Sequence, residues 1–139
     1  MTIEDSNTAL VRHIIQDLWN SHAGLEALAA HIAPGYVHHA ASGDFDFEGF
    51  RGGLGSFITA LPDVRHEITH LIAQGDLVAA HVKMIGTQTG PFGAIAPTGK
   101  ALTFTGAYHC HIVDGQLDED WDTWTVLPLF KQTAAVLQS

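Results

Sequence analysis

The sequence predicts an α+β domain whose helices gather on one face of a curved antiparallel sheet. Two observations carry this expectation. Apolar residues recur at helical spacing as far as Leu61, and from Val64 onward the period falls to two. Asp114-Gly115 then separates two alternating stretches, the strongest short hairpin signal in the chain, because glycine tolerates positive φ. A length of 139 residues suits one domain, 1–139, and an apolar share of 46% is that of a folded chain.

The elements follow in order. Thr2-Ile-Glu-Asp5 reads as a capping box, in which the Thr hydroxyl and the Asp carboxylate satisfy free amides at a helix start. Leu10, Val11, Ile14, Ile15, Leu18 and Trp19 then form one apolar helical face ending near Ser21. Gly24 separates this helix from a short one carrying Leu25, Leu28 and Ile32, which Pro34-Gly35 ends. Phe50, Leu54, Phe57, Ile58 and Leu61 mark a third helix, stopped by Pro62. Its three glycines, Gly52, Gly53 and Gly55, each cost about 1 kcal/mol relative to Ala, so either a backbone packs closely there or the segment is a mobile rim. Strands are expected over 64–73 and 77–86, joined by a turn at Gln74-Gly75-Asp76, and over 102–113 and 116–126. Residues 90–99, with three glycines and two prolines, read as a loop between them.

Composition excludes several function classes. The net charge is −9 and charged residues are 15% against roughly 25% in an average protein, so the basic stripe needed for a phosphate backbone is missing and nucleic acid is not expected as a partner. Cys110, the sole cysteine, excludes an internal disulfide and multi-cysteine metal motifs. Acids occupy the start where a signal peptide would carry Lys or Arg, and no apolar run reaches the length of a membrane span, so a cytoplasmic protein with no membrane partner is expected. There is no phosphate loop, serine elbow or dinucleotide fingerprint, and no cofactor is expected.

A two-residue turn at Asp114-Gly115 sets the facing of the last hairpin. Val113 then faces Gln116, Ile112 faces Leu117, Cys110 faces Glu119 and Tyr108 faces Trp121, all but the first pair on the apolar side with Phe104, Gly106 and Thr123. Ala107, His109, His111, Asp118, Asp120, Asp122 and Trp124 fall on the other side. Glu119 is thus a lone carboxylate among aromatics, where desolvation would raise its pKa into the range useful for proton transfer, unless it meets a structural partner. His109 and His111 lie opposite Asp120 and Asp118, with His38-His39 elsewhere. A metal site needs three or four ligands converging on one ion, so these read as a ladder of His–Asp pairs and no metal is expected. His13, His66, His70 and His81 have no partner spacing and read as surface or rim, and Cys110 reads as a small buried hydrophobe.

Beyond these patterns the chain resembles a known family. Leu18-Trp19-Asn20, Tyr36-Val37-His38-His39, Glu48-Gly49-Phe50-Arg51, the run 86–92, Ala96-Pro97-Thr98-Gly99-Lys100 and the run 114–122 resemble the SnoaL-like polyketide cyclases of the nuclear transport factor two-like superfamily. The resemblance covers essentially the whole chain and implies a cone of helices closed by a strongly curved sheet around an internal pocket. It implies cofactor-independent ring closure by intramolecular aldol condensation, with an acid on the last strand pair as general acid/base and polar helpers on the preceding strand. Asp122 is the position that matches the acid, and Tyr108 matches the helper. Two positions depart from the family pattern: Thr125 stands where many members carry a second acid, and His39-Ala40-Ala41 stands for His-Asp-Pro.

The expected function is therefore proton transfer α to a carbonyl, by a cyclase or isomerase acting on a hydrophobic small molecule, with Asp122, Glu119, Tyr108 and His39 as candidate catalytic residues. Trp19, Tyr36, His38, Phe50, Phe57, Met84, Cys110 and Trp121 are the candidate substrate-binding residues. Asp122 stands ahead of Glu119, although hairpin parity favours Glu119, because β-bulges that re-aim side chains are frequent next to active sites. The alternative is a non-catalytic small-molecule-binding or dimerisation domain of the same fold. A homodimer or larger homo-oligomer is expected to use the outer sheet face, where Trp124 and Ala107 are placed.

Overall fold

The computed structural model describes residues 1–125, so Val126 at the expected end of the last strand lies outside the described residues. Helix α1 (Ile3–His13) opens with the expected capping box: Thr2 Oγ1 accepts from Asp5 N, and Thr2 N donates to Asp5 Oδ2, each at 3.1 Å. The helix loosens into a π turn (Ile14–Leu18) that keeps Val11, Ile14, Ile15, Leu18 and Trp19 facing the core. Ser21 caps the short helix α2 (His22–Leu28), and Asp46 caps α3 (Phe47–Ala60). The glycines of α3 meet no packed backbone: a Cβ at Gly52 or Gly53 would touch nothing within 4 Å.

The sheet has six strands in the order β2-β1-β6-β5-β4-β3 and does not close on itself. Strands β3 (Arg65–Gln74), β4 (Leu77–Thr87), β5 (Ala101–Val113) and β6 (Gln116–Thr125) form the expected antiparallel meander. Two further strands correct the expected four. β1 (Ile32–Ala40) runs parallel to β6, which makes the sheet mixed, and β2 (Gly43–Phe45) pairs antiparallel with β1. The Pro34-Gly35 pair read as a helix stop lies inside β1, in the register shift between Ile32 and Val37, with Gly35 at φ 80°. A bulge needs no ladder hydrogen bond from proline and welcomes positive φ from glycine, so the breaker sits within a strand.

The Asp114-Gly115 turn has φ of 51° and 75°, the two positive values of a hairpin whose twist matches its strands. Val113 and Ile112 face Gln116 and Leu117 as expected. One residue later the register shifts, so that His111 pairs with Glu119, Cys110 with Asp120, His109 with Trp121 and Tyr108 with Asp122. Asp118 is the extra residue. The bulge reverses the expected facing of everything beyond it: Asp120, Asp122 and Trp124 turn toward the helices, while Glu119, Trp121 and Thr123 turn away. Trp124 therefore packs against Trp19 and His66, with ring centroids at 6.5 and 6.3 Å, and is no part of an outer face. Gly106, its partner in the ladder, makes room for it, since a Cβ there would lie 2.5 Å from Trp124 Cδ2. Among the described residues no helix is long and apolar enough to cross a membrane.

Candidate active site

A cavity of about 370 Å³ opens between α3 and the inner face of the sheet. Phe50, Leu54 and Phe57 line it from the helix, Met84 and Trp124 from the strands, and His38 and Asp122 place polar atoms in its wall. The volume lies near the lower end of ligand pockets, and the walls have the usual character of many apolar groups and few polar ones.

Behind the wall, Asp120 is fully buried. Its Oδ2 accepts hydrogen bonds from Tyr36 Oη at 2.6 Å and from Tyr108 Oη, and its Oδ1 accepts from His38 Nδ1 at 2.5 Å. Three donors converge on one carboxylate, so a charge that would be costly to bury is solvated by side chains. Burial first, and then the Asp120 charge, hold both tyrosine hydroxyls above their ordinary pKa, and they remain O–H donors. A carboxylate only accepts, so the His38 proton facing it is on Nδ1, and Nε2 is left toward the cavity side. That nitrogen lies 3.5 Å from Asp122 Oδ1. Burial is the largest influence on Asp122 and raises its carboxyl above the ordinary range, and the Asp120 charge adds to this. The His38 ring and the hydrogen bond from Trp124 Nε1, at 2.8 Å, pull in the opposite direction. Asp120, His38 and Asp122 thus stand in a row of contacts that ends in the cavity wall at a carboxyl raised by burial.

The candidate residues separate into three places. His38, Phe50, Phe57, Met84 and Asp122 meet at the cavity. Trp19, Tyr36, Tyr108 and Cys110 are buried. Trp19 lies in edge contact with Phe50, His66 and Tyr108, and burial pushes the Cys110 thiol up. His39, Glu119 and Trp121 lie on the other side of the sheet. His39 Nε2 lies 2.6 Å from Glu119 Oε2 and its Nδ1 2.7 Å from Asp44 Oδ1, and these two contacts favour the protonated ring and raise its pKa. Trp121, 39% exposed, stacks on the same imidazole with centroids 5.1 Å apart. Glu119 thus has a histidine partner and solvent, where the unbroken period had placed it among aromatics.

Sequence reasoning missed two residues. Asp120 was placed outside by the same unbroken period. His66 was read as rim and is 5% exposed, lining the cavity beside Met84 and Trp124. The expected ladder partner Asp120 is also absent from the His109-His111 face. His111 keeps its expected partner Asp118, at 3.2 Å, and adds Asp76 at 2.8 Å. Among the described residues His111, Asp118 and Glu119 bring one ligand atom each within 4.8 Å of one another, all at the half-buried outer face.

A cone of helices on a strongly curved open sheet, with polar groups in its inner wall, defines the nuclear transport factor two-like class. Within it, the model of the SnoaL-like polyketide cyclases matches residues 9–133, and the chain belongs to that family. No curated protein matches the chain in sequence. Among solved structures, AclR from Streptomyces galilaeus, named as a candidate hydroxylase, superposes with a TM-score of 0.86 at 23% identity, covering 95% of this chain and 83% of its own. A candidate SnoaL-like polyketide cyclase from Jannaschia sp. CCS1 gives 0.86 at 18% identity, covering 97% and 96%. IdmH from Streptomyces antibioticus, named as a candidate polyketide cyclase, gives 0.79 at 25% identity, covering 92% and 98%.

Proposed function

We propose that the protein is a proton-transfer enzyme that acts on a hydrophobic carbonyl compound, with ring closure of a polyketide-type chain as the reaction class. The observation that carries this reading is Asp122: a carboxyl raised by burial, set in an apolar cavity, with a histidine nitrogen 3.5 Å away. Asp122 takes the proton α to a carbonyl, and the enolate carbon attacks a second carbonyl of the same molecule. The new alkoxide then recovers the proton from the Asp122–His38 pair, so the ring closes with no net gain or loss of atoms. Asp120 keeps the His38 ring in one orientation, while the raised carboxyl is suited both to take and to return a proton. Membership of a cyclase family and the apolar walls support the substrate class.

The test is exchange of the protons α to the carbonyl of 2-tetralone in deuterated water, followed by NMR. The wild-type protein is expected to accelerate exchange, and Asp122→Asn to lower that rate by roughly 10²–10⁴ with the fold intact. Glu119→Gln should stay near the wild-type rate. Near wild-type exchange in Asp122→Asn overturns the assignment. No acceleration by either protein puts the non-catalytic binding domain ahead.

A further inference from the structure

Two buried side-chain polar atoms among the described residues have no hydrogen-bond partner: Trp19 Nε1 and His66 Nε2. The first is a donor, and the tautomer of the second follows from its neighbours. Asn20 Nδ2 donates to the Gln16 carbonyl at 2.7 Å, an oxygen that can only accept, so the amide is oriented with Oδ1 toward His66. That oxygen lies 2.7 Å from His66 Nδ1, which must carry the proton. Nε2 is therefore a bare lone pair on a 5% exposed ring in the cavity wall. Burial pushes the ring's pKa down to about 4, so protonation does not supply the missing partner at neutral pH. An unpaired buried acceptor costs free energy, and the empty partner position belongs to something outside the described side chains.

We infer that His66 is a specificity-determining residue whose Nε2 accepts a hydrogen bond from a hydroxyl of the ligand, at the end of the molecule remote from Asp122. The placement supports this. Trp124 donates to Asp122 through its indole nitrogen at 2.8 Å, and its ring lies 6.3 Å from the His66 ring, so it spans the wall between the two polar positions. A planar molecule lying along Trp124 presents one end to the carboxylate and the other to the imidazole. The orphaned indole N–H of Trp19 belongs to a ring in edge contact with His66, with centroids at 5.3 Å. A hydroxyl is a neutral donor, which suits the bare acceptor of His66 in an apolar wall. The ligand class is then a flat apolar carbonyl compound bearing a phenolic or enolic hydroxyl. This rests on the cavity being the substrate site and is independent of whether Asp122 moves protons.

The probes are 2-naphthol and its methyl ether, 2-methoxynaphthalene, titrated against the full chain by tryptophan fluorescence. Wild-type protein should bind the naphthol about tenfold more tightly, the effect of one net hydrogen bond to a buried acceptor. His66→Phe keeps an aromatic ring against Trp19 and Trp124 but has no lone pair, and should bind both probes equally. The preference is read by binding alone, without turnover, which separates this inference from the proton-transfer reading. A measurement without substitution guards against misfolding: with ¹⁵N-labelled histidine, the His66 Nε2 resonance should move from bare toward hydrogen-bonded nitrogen on adding 2-naphthol, and stay in place with the ether. Failure of the wild-type protein to distinguish the probes, through weak or equal binding, overturns the inference. So does a preference that survives in His66→Phe, or an unmoved Nε2 resonance.

Discussion

Asp120 accepts from three donors from behind the cavity wall, which makes it the residue on which the site's geometry depends. Removing it leaves two tyrosine hydroxyls and the His38 Nδ1–H buried without an acceptor. Asp120→Leu is therefore expected to cost about 3–5 kcal/mol, the size seen when one partner of a buried charged network is removed. Adding Tyr36→Phe and Tyr108→Phe removes two of the orphans, so the triple variant should recover part of the loss. Urea denaturation of the set measures that coupling, and strictly additive losses would contradict the shared hub. The acidic run was legible as the segment that carries the candidate acids, but its facing was not. Nothing in Leu117-Asp118-Glu119 marks Asp118 as a bulge, and a single extra residue exchanges the two faces of a strand. His66 was illegible for a related reason. Its partner is Asn20, 46 positions away, and helical spacing does not connect an asparagine at the end of one helix to the start of a distant strand.

At the scale of elements, the period change at Val64 and the Asp114-Gly115 turn were legible because each is local. β1 was not, because its long-range partner β6 is what makes Ile32–Ala40 a strand despite Pro34-Gly35. Helix α3 carries a glycine pattern whose meaning only the structure separates. Gly52 is exposed with nothing near its absent Cβ, so no packing constraint requires a glycine there. Gly52→Ala is expected to stabilise the protein by up to about 1 kcal/mol, through helix propensity and a less flexible unfolded chain. Gly106 is the opposite case: a methyl group would lie 2.5 Å from the Trp124 ring and 2.8 Å from the Thr123 carbonyl oxygen. Gly106→Ala should lower stability by about 1–3 kcal/mol as the indole is displaced. Denaturant midpoints of the two variants moving in the same direction would refute this reading of the pair.

The whole molecule combines a net charge of −9 with ten histidines, so its stability depends on pH through imidazoles held in contrasting settings. His66, desolvated by burial, has a folded value of about 4 against an ordinary 6.5. Between those values the unfolded chain binds a proton that the folded chain refuses, so stability falls as pH drops through this window. The slope from this one group reaches at most about 1.4 kcal/mol per pH unit. His39 and His111 are raised, chiefly by hydrogen bonds to Glu119 and Asp76 respectively, so their contribution is complete below 6.5 and fades as pH rises through their folded values. Both are part-exposed on the outer face, where screening by solvent keeps such pairs small. Asp63, lowered mainly by its hydrogen bond from the Thr87 backbone, contributes above 3.8 and loses that contribution as pH falls through its folded value, again in solvent. Asp122 is raised, so the folded chain keeps a proton that the unfolded chain has released. Its contribution therefore declines as pH rises from 3.8 to its folded value, opposing His66 over that range. Below neutrality the buried imidazole outweighs Asp122, so stability falls toward the acid side of that range. Urea denaturation across pH 4 to 8 should show that fall in the wild-type protein, and His66→Phe should flatten it between about 4 and 6.5. Equal acid slopes in the two proteins would show that His66 is not held neutral by burial, and the bare Nε2 acceptor would fall with it.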